Sequence, residues 1–505
     1  MTAYLIAHDL GTTGNKATLF SVNGGMIRSV TEKYPTYYTN GNWAEQEPED
    51  WWNAFCTATK KLLRGFDASE VLAVSFSGQM MGCVCVDAQG RALRRAVIWA
   101  DMRSGAQEAA IAQKISPEAF YRIAGHRLSR SYSIEKLMWI RDNEPEVFEK
   151  THKALNAKDY IVCRLTGEFV TDFSDASGTN ALDLGRMDWS DDILAAAGID
   201  RDVFPEIYPS TKVAGSISSV VSEECGLAEG TKIVLGGGDG SCASVGAGSV
   251  AEGVTYNCLG SSSWICTASR EPFFDKKMRT VTWAHVMPGL LIPGGTMQAA
   301  GVSFEWGKEL LCSGDIAEAK ANGEDVYGVI NQRMEASPVG ANALLFLPYL
   351  LGERCPRWNG DARGSFIGLK NEHTSGDLMR SIAEGVAMNL GIILEILKGA
   401  VPVTEMFIVG GMAQSGTIRQ VLADVYGMDV IRLRHLEEAT SIGAAVVAGV
   451  GVGVLSGFDA YELFNRADSR TSPTMENIAK YNKMKPLFEQ AYQSQLALYR
   501  GLAAL

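Results

Sequence analysis

The sequence predicts an α/β protein made of two related lobes. Three observations carry this. Short apolar runs of strand length alternate with stretches at helical spacing along the whole chain. The segment His8-Asp9-Leu10-Gly11-Thr12-Thr13 is echoed by Asn257-Cys258-Leu259-Gly260-Ser261-Ser262, each following one strand signal and preceding another. Each copy stands near the start of one half of a chain of 505 residues, a length that suits about two to four domains.

Taken in order, Ala3-Tyr4-Leu5-Ile6-Ala7 reads as a buried strand running into a Gly/Thr turn. Residues 16–22 read as the next strand, with Asn23-Gly24-Gly25 as a hairpin turn. Another strand covers 71–76. Residues 104–165 read as largely helical, and Ile134, Leu137 and Met138 share one apolar face. Lys232-Ile233-Val234-Leu235 is a short strand that ends in Gly236-Gly237-Gly238-Asp239-Gly240. Strand signals return at 254–259 and 264–267, and residues 313–338 read as surface helix and loop. Phe407-Ile408-Val409 leads into Gly410-Gly411, after which Ile418, Val421, Leu422 and Val425 repeat at helical spacing.

Apolar residues make up 46% and charged residues 21%, the balance of a globular protein with a large core. A net charge of -12 argues against an extended nucleic-acid surface. Phosphates would have to be held locally, by backbone N–H groups, helix ends and Mg²⁺. The ten cysteines form no CxxC pair with a matching partner, so free thiols in a reducing cytosol are expected rather than a zinc site. The first residues show no basic region, and their apolar run is too short to span a bilayer. The expectation is a cytoplasmic protein with neither nucleic-acid nor membrane partners.

Several segments could carry chemistry. A strand–Gly–Thr–Thr turn offers N–H groups and hydroxyls to phosphate oxygens, and Asp9 at the strand end suits a Mg²⁺ neighbour acting through water. A tight hairpin with an Asp cap explains the same residues. Asp239 follows three glycines at a strand end, where α/β proteins place their chemistry. It fits the carboxylate that accepts a hydroxyl proton in phosphoryl transfer; a helix N-cap is the alternative. Gln79, within Ser77-Gly78-Gln79-Met80-Met81-Gly82, and the segment Trp99-Ala100-Asp101-Met102-Arg103 offer an aromatic face and hydroxyl-binding groups suited to a sugar. For Asp101 and Arg103 an ion pair is the competing reading. Gly410-Gly411-Met412-Ala413-Gln414-Ser415 is similar to an adenine-nucleotide loop or is simply a turn. The small residues of 438–445 would permit close helix packing.

In this order the segments resemble the FGGY carbohydrate kinases almost end to end. Ser131 to Asn143, centred on Lys136 and Trp139, is similar to the first family signature. Gly364 to Leu369, with Asp377-Leu378 and Ser381 to Glu384, is similar to the second, although Ala383 stands where a larger apolar residue is usual. Pro348 to Arg354, Pro356 and Asp361 to Gly364 are most similar to xylulokinases. The resemblance implies two actin-like (ribonuclease H-like) lobes, 1–249 binding sugar and 250–505 binding ATP, with the cleft between them and the last helices free to pack back on the first lobe. It implies a small-molecule sugar and ATP as substrates, Mg²⁺ beside Asp9 and Asp239, and Asp239 as general base. It places Gly11, Thr12, Thr13, Gly260, Ser261, Gly301, Gly410, Gly411 and Ala413 at ATP. It places Gln79, Met80, Met81, Trp99, Asp101, Arg103, Asp239 and Gly240 at the sugar. A homodimer is compatible with the sequence.

Two departures bear on the acceptor. Xylulokinases usually carry Met-His at Met80-Met81 and Asp-Asn at Asp239-Gly240, so an imidazole and an amide are missing where the sugar should sit. Glycerol kinases carry Arg-Glu at the first pair. The expected reaction is D-xylulose to D-xylulose 5-phosphate, with another ketose, a polyol or a sugar acid (ribulose, erythritol, gluconate) as the alternative. A non-catalytic actin-like sugar sensor is the rival from another class.

Overall fold

The computed structural model describes residues 3–505. Two sheets of seven strands organise it. In the first, β1 (Tyr4–Leu10), β2 (Gly14–Ser21) and β3 (Met26–Lys33) form an antiparallel meander. Strand β4 (Val71–Gly78) lies parallel to β1, β5 (Val213–Ser216) is the antiparallel edge, and β6 (Lys232–Val234) lies between them, parallel to β4. The pair Gly237–Gly238 continues beside the end of β4.

The second sheet repeats the plan. Strands β7 (Val254–Leu259) and β8 (Ser263–Thr267) form a hairpin, extended antiparallel by β10 (Leu291–Met297) and then β9 (Val281–Ala284). On the other side β11 (Glu405–Val409) and β12 (Val430–Leu433) add in parallel, and β13 (Ala467–Thr471) closes the edge antiparallel. The echoed hexapeptides therefore form the turn of the first hairpin in each sheet. Within the stretch expected as helix, the helices are interrupted by a strand at Lys153–Leu155, which pairs with Val84–Val86.

Burial follows the strand period. Along β1, Tyr4, Ile6 and Leu10 join one core with Trp51, Phe55, Val74 and Phe76, while Leu5 and Ala7 join another on the opposite face. The helix Pro48–Leu62 starts with proline at N1 and covers the first face with Trp51, Trp52 and Phe55.

Two helices join the sheets. Helix α1 (Asp239–Gly246) sends Ala243 into the core of the second sheet, while α2 (Ala439–Gly451) packs on β1 and β4 of the first. They touch backbone to backbone: a Cβ on Gly246 would lie 1.9 Å from Ala439 O, and one on Gly443 1.9 Å from Cys242 O. The small residues of 438–445 thus serve close packing, as their composition predicts. The final helix, Met475–Ala503, packs on Ser375–Leu397 and Gly416–Tyr426 within the second half. It is α2, not this last helix, that crosses to the first sheet. All ten cysteines are free, and among the described residues no helix is long and apolar enough to cross a membrane.

Candidate active site

The β1–β2 turn is tied from behind. Gly11 N–H donates to Gly14 O at 3.0 Å, closing the turn. Gln46 Nε2 donates to Thr12 O at 2.6 Å, Trp99 Nε1 to Thr12 Oγ1 at 2.8 Å, and the Tyr34 hydroxyl to Gly11 O. Thr13 stands exposed beside them. Asp9, two residues before Gly11, takes Ser77 Oγ–H at 3.0 Å on one oxygen and Thr440 Oγ1–H at 2.7 Å on the other. Thr440 belongs to α2, so both halves of the chain orient this carboxylate.

The matching turn of the second sheet rests on the start of the helix Gly301–Leu311. Ala300 N and Val302 N donate to Ser261 O at 3.0 and 3.1 Å, and Gly301 N donates to Gly260 O at 3.0 Å. A Cβ on Gly301 would meet Gly260 O at 2.5 Å. Gly301 was expected at ATP; it is buried beneath the turn, and its lack of a side chain serves that contact. Gly410, at φ +93°, lies so close to Leu259 that any Cβ would clash with its carbonyl, at 2.6 Å. Gly411 has nothing within 4 Å of a Cβ, whereas Ala413 is buried.

Asp239 is the first residue of α1. The helix is capped by Gly238, with no side-chain cap, so the N-cap alternative for Asp239 falls away. Its Oδ1 accepts Gly240 N–H at 2.7 Å. Asp239 remains solvent-accessible in the cleft, yet the protein packed around that cleft, then the charge of Asp9, push its carboxyl up to about 6, against the pull of the Gly240 N–H. The glycines before it make room for protein rather than for substrate: a Cβ on Gly237 would meet Val286 at 2.3 Å, and one on Gly238 would meet Met80 at 2.5 Å. Gly240 differs, since the nearest atom to its Cβ would be on Trp283, at 3.9 Å.

The expected sugar contacts divide. Asp101 and Arg103 are spent on each other, with Nη2 to Oδ2 at 2.7 Å and Nε to Oδ1 at 2.9 Å. Asp101 also accepts Ala44 N–H at 2.6 Å, and Arg103 pairs with Glu45 at 2.8 Å while lying 3.8 Å over the Trp43 ring. The ion-pair reading holds, with the difference that the pair is buried rather than at the surface. Gln79 is also buried and donates to Gln46 Oε1 at 2.8 Å, which supports the β1–β2 turn. All three side chains are buried and engaged with protein partners. Met80 is buried against Gly178 and Gly238. Met81 is half-buried in the left-handed region at φ +63°, and buried Lys136 donates to its carbonyl at 2.6 Å. Trp99 is 37% exposed.

Residues that the sequence reading missed join this site. Trp264, Trp283, Thr296 and Thr440 line, with Asp239 and Gly240, a cavity of about 150 Å³. Strand alternation of 263–267 could have put Trp264 on the face that Cys266 shares; nothing local points to Trp283, Thr296 or Thr440. Among the described residues no three His, Cys, Asp or Glu side chains gather into a metal cage.

Two sheets of one plan, each opening on a hairpin with a Gly–hydroxyl turn, and a carboxylate at the start of the helix between them are the architecture of an actin-like phosphotransferase. The N-terminal domain model of the FGGY family of carbohydrate kinases matches residues 4–246, and the C-terminal domain model matches residues 255–452. The chain belongs to that family, and is a phosphotransferase acting on a sugar. It is 32% identical over 493 residues to the xylulose kinase of Bacillus subtilis (strain 168), covering 97% of this chain and 96% of that one. It is 30% identical over 490 residues to the gluconokinase of the same organism, covering 97% and 95%. The crystal structure of ligand-bound xylulose kinase from Lactobacillus acidophilus superposes with a TM-score of 0.91 at 27% identity, covering 99% of this chain and 100% of that one.

Proposed function

We propose that this kinase transfers the γ-phosphoryl of ATP to a terminal hydroxyl of D-xylulose, giving D-xylulose 5-phosphate. Asp239 carries the reading. Its carboxylate opens into the cavity at the start of a helix, near Asp9 and the β1–β2 turn, with its basicity raised to a value suited to neutral pH. It accepts the hydroxyl proton as that oxygen attacks the γ-phosphorus and the bond to the β–γ bridging oxygen breaks, releasing ADP. Thr12, Thr13, Gly260, Ser261 and Gly411 would meet the nucleotide. Asp9, with Asp239 beside it, would hold Mg²⁺, which supplies positive charge to the phosphates when bound.

The commitment of two nearby cations supports a neutral acceptor. Arg103 is committed to Asp101 and Glu45, and Lys136 to the carbonyls of Met81 and Ser131, while two carboxylates face the reacting centre. A sugar acid would need a countercharge there. Gluconate is the second reading, since the B. subtilis gluconokinase is nearly as similar to the chain as the xylulose kinase and the imidazole and amide usual in xylulokinases are absent. A coupled ADP-release assay with ATP·Mg²⁺ across ketoses, polyols and sugar acids tests this. The expected result is the highest kcat/KM with D-xylulose. A sugar acid as best acceptor overturns the xylulose assignment, and no stimulation by any of them favours the sensor.

A further inference from the structure

Beneath Asp239 lies a buried charge cluster that the reaction itself does not use. Lys158 Nζ, with no solvent exposure, sits 2.5 Å from Asp159 Oδ1, 2.9 Å from Asp172 Oδ1 and 3.3 Å from Asp175 Oδ2. Burial alone would discharge the lysine; the three acidic partners outweigh it and hold its ammonium well above the usual range, while burial in turn pushes the carboxyls of Asp159 and Asp175 upward. The other oxygen of Asp172 accepts Ser174 Oγ–H at 2.5 Å and Ser210 Oγ–H at 2.7 Å. With its proton given to Asp172, Ser174 Oγ is free to accept, and it takes the Gly238 N–H at 2.9 Å. Gly238 is the cap of α1 and the residue before Asp239.

The clamp is two-sided. Met80 presses on Gly238 from one direction, and Ser174 and Val286 close on Gly237 from another. Lys158 itself lies against the end of β4, since a Cβ on Gly78 would come within 3.0 Å of its side chain. A buried, fully engaged ion is a poor source of net stability compared with an apolar core, but it fixes geometry in a way apolar contacts do not.

We propose that Lys158, Asp172 and Ser174 are positioning residues that fix the backbone at Gly238 and so aim the Asp239 carboxylate at the accepting hydroxyl. The inference rests on Asp239 being the base. Small displacements of a catalytic group cost rate steeply, up to about 100-fold for about 1 Å. Such a loss falls on kcat, because binding of sugar and nucleotide uses other groups.

Two single substitutions separate positioning from mere stability. Ser174→Ala and Ser210→Ala each remove one hydrogen bond to Asp172 Oδ2, but only the first frees Gly238 N–H. Kinetics with ATP·Mg²⁺ and D-xylulose, or D-gluconate if that is the acceptor the screen selects, should show kcat reduced about 10- to 100-fold in Ser174→Ala with KM for both substrates little changed. Ser210→Ala should keep kcat within about threefold of wild type while its melting temperature falls about as far as that of Ser174→Ala. If Ser174→Ala is insoluble, Ser174→Cys keeps the size with a weaker acceptor and should give the same split. Equal kcat in the two variants overturns the proposal. Failure of the base assignment has a different signature, namely an Asp239→Asn enzyme that still turns over.

Discussion

Asp239 is where a single atom decides the outcome. Asp239→Asn keeps the size and the Gly240 contact but cannot take a proton, so kcat should fall by about 10² to 10⁴ with sugar binding retained; steady-state kinetics and calorimetric titration check this, and near-normal turnover refutes it. The two departures from the xylulokinase pattern are testable in the same way. Gly240 has open space beside it, and histidine tolerates the left-handed backbone of Met81 better than methionine does. Met81→His with Gly240→Asn should therefore fold normally and raise kcat/KM for D-xylulose about tenfold or more by restoring polar contacts; an unchanged or lower value places the sugar elsewhere. His8 is buried between Asn15 and Thr59, and burial lowers its imidazole to about 3, with the Asn15 bond pulling the other way. Between 6.5 and that value the unfolded chain binds a proton the fold refuses. The His8 contribution is therefore intact above pH 6.5 and is lost as pH falls, by about 1.4 kcal/mol per unit. Urea unfolding should show His8→Gln gaining about 2 kcal/mol on wild type between pH 7 and 5, and a gap that does not change with pH refutes the burial argument. The local setting of Asp9 and Thr12, at a strand end and its turn, and of Asp239, after a strand and its glycines, was legible in the sequence because it depends only on neighbouring residues. The burial of the Asp101–Arg103 pair was not, because it depends on Trp43, Ala44 and Glu45 folding over it from far along the chain.

At the scale of elements, the joint between α1 and α2 concentrates the packing demand. The atom that a Cβ on Gly443 would strike is the carbonyl of Cys242, and backbone cannot rotate away as a side chain can. Gly443→Ala must push the helices apart. It should cost about 3 kcal/mol or more, and lower kcat as well, since Asp239 begins α1. Gly314→Ala, in the helix Ser313–Asn322 with nothing within 4 Å of its Cβ, is the control and should be neutral or stabilising by about 0.5–1 kcal/mol. Thermal unfolding and kinetics read both; similar melting temperatures for the two variants refute the close-contact account. The sequence foretold the small residues of α2 and their use in close packing. It did not identify α1 as the partner or the first sheet as the support. Alanine and glycine carry no shape that selects a neighbour, so the assignment waits on the tertiary fold.

At the scale of the molecule, the hexapeptide echo correctly marked a duplicated hairpin turn, and the alternation of apolar runs marked the α/β class. Chain order could not reveal that the two sheets fill their antiparallel edges differently: β5 precedes its neighbour β6, whereas β13 follows β12. Nor could it reveal that α2 crosses to the first sheet, because each lobe's sequence contains enough apolar residues to suggest a self-sufficient core. The crossing makes the halves interdependent. Leu5, Ala7, Ala73 and Val234 of the first sheet are covered by Ile442, Ala445, Val446 and Leu455, all from the far end of the chain. Burying side chains of this size is worth about 1.5–3 kcal/mol for each of the larger ones, a sum comparable with the whole stability of a typical domain. Residues 1–249 expressed alone should therefore lack a cooperative melting transition and bind a hydrophobic dye, and the full chain should unfold in one transition by both near- and far-ultraviolet circular dichroism. A fragment that melts cooperatively near the temperature of the intact protein would show that α2 rests on a finished lobe rather than completing it.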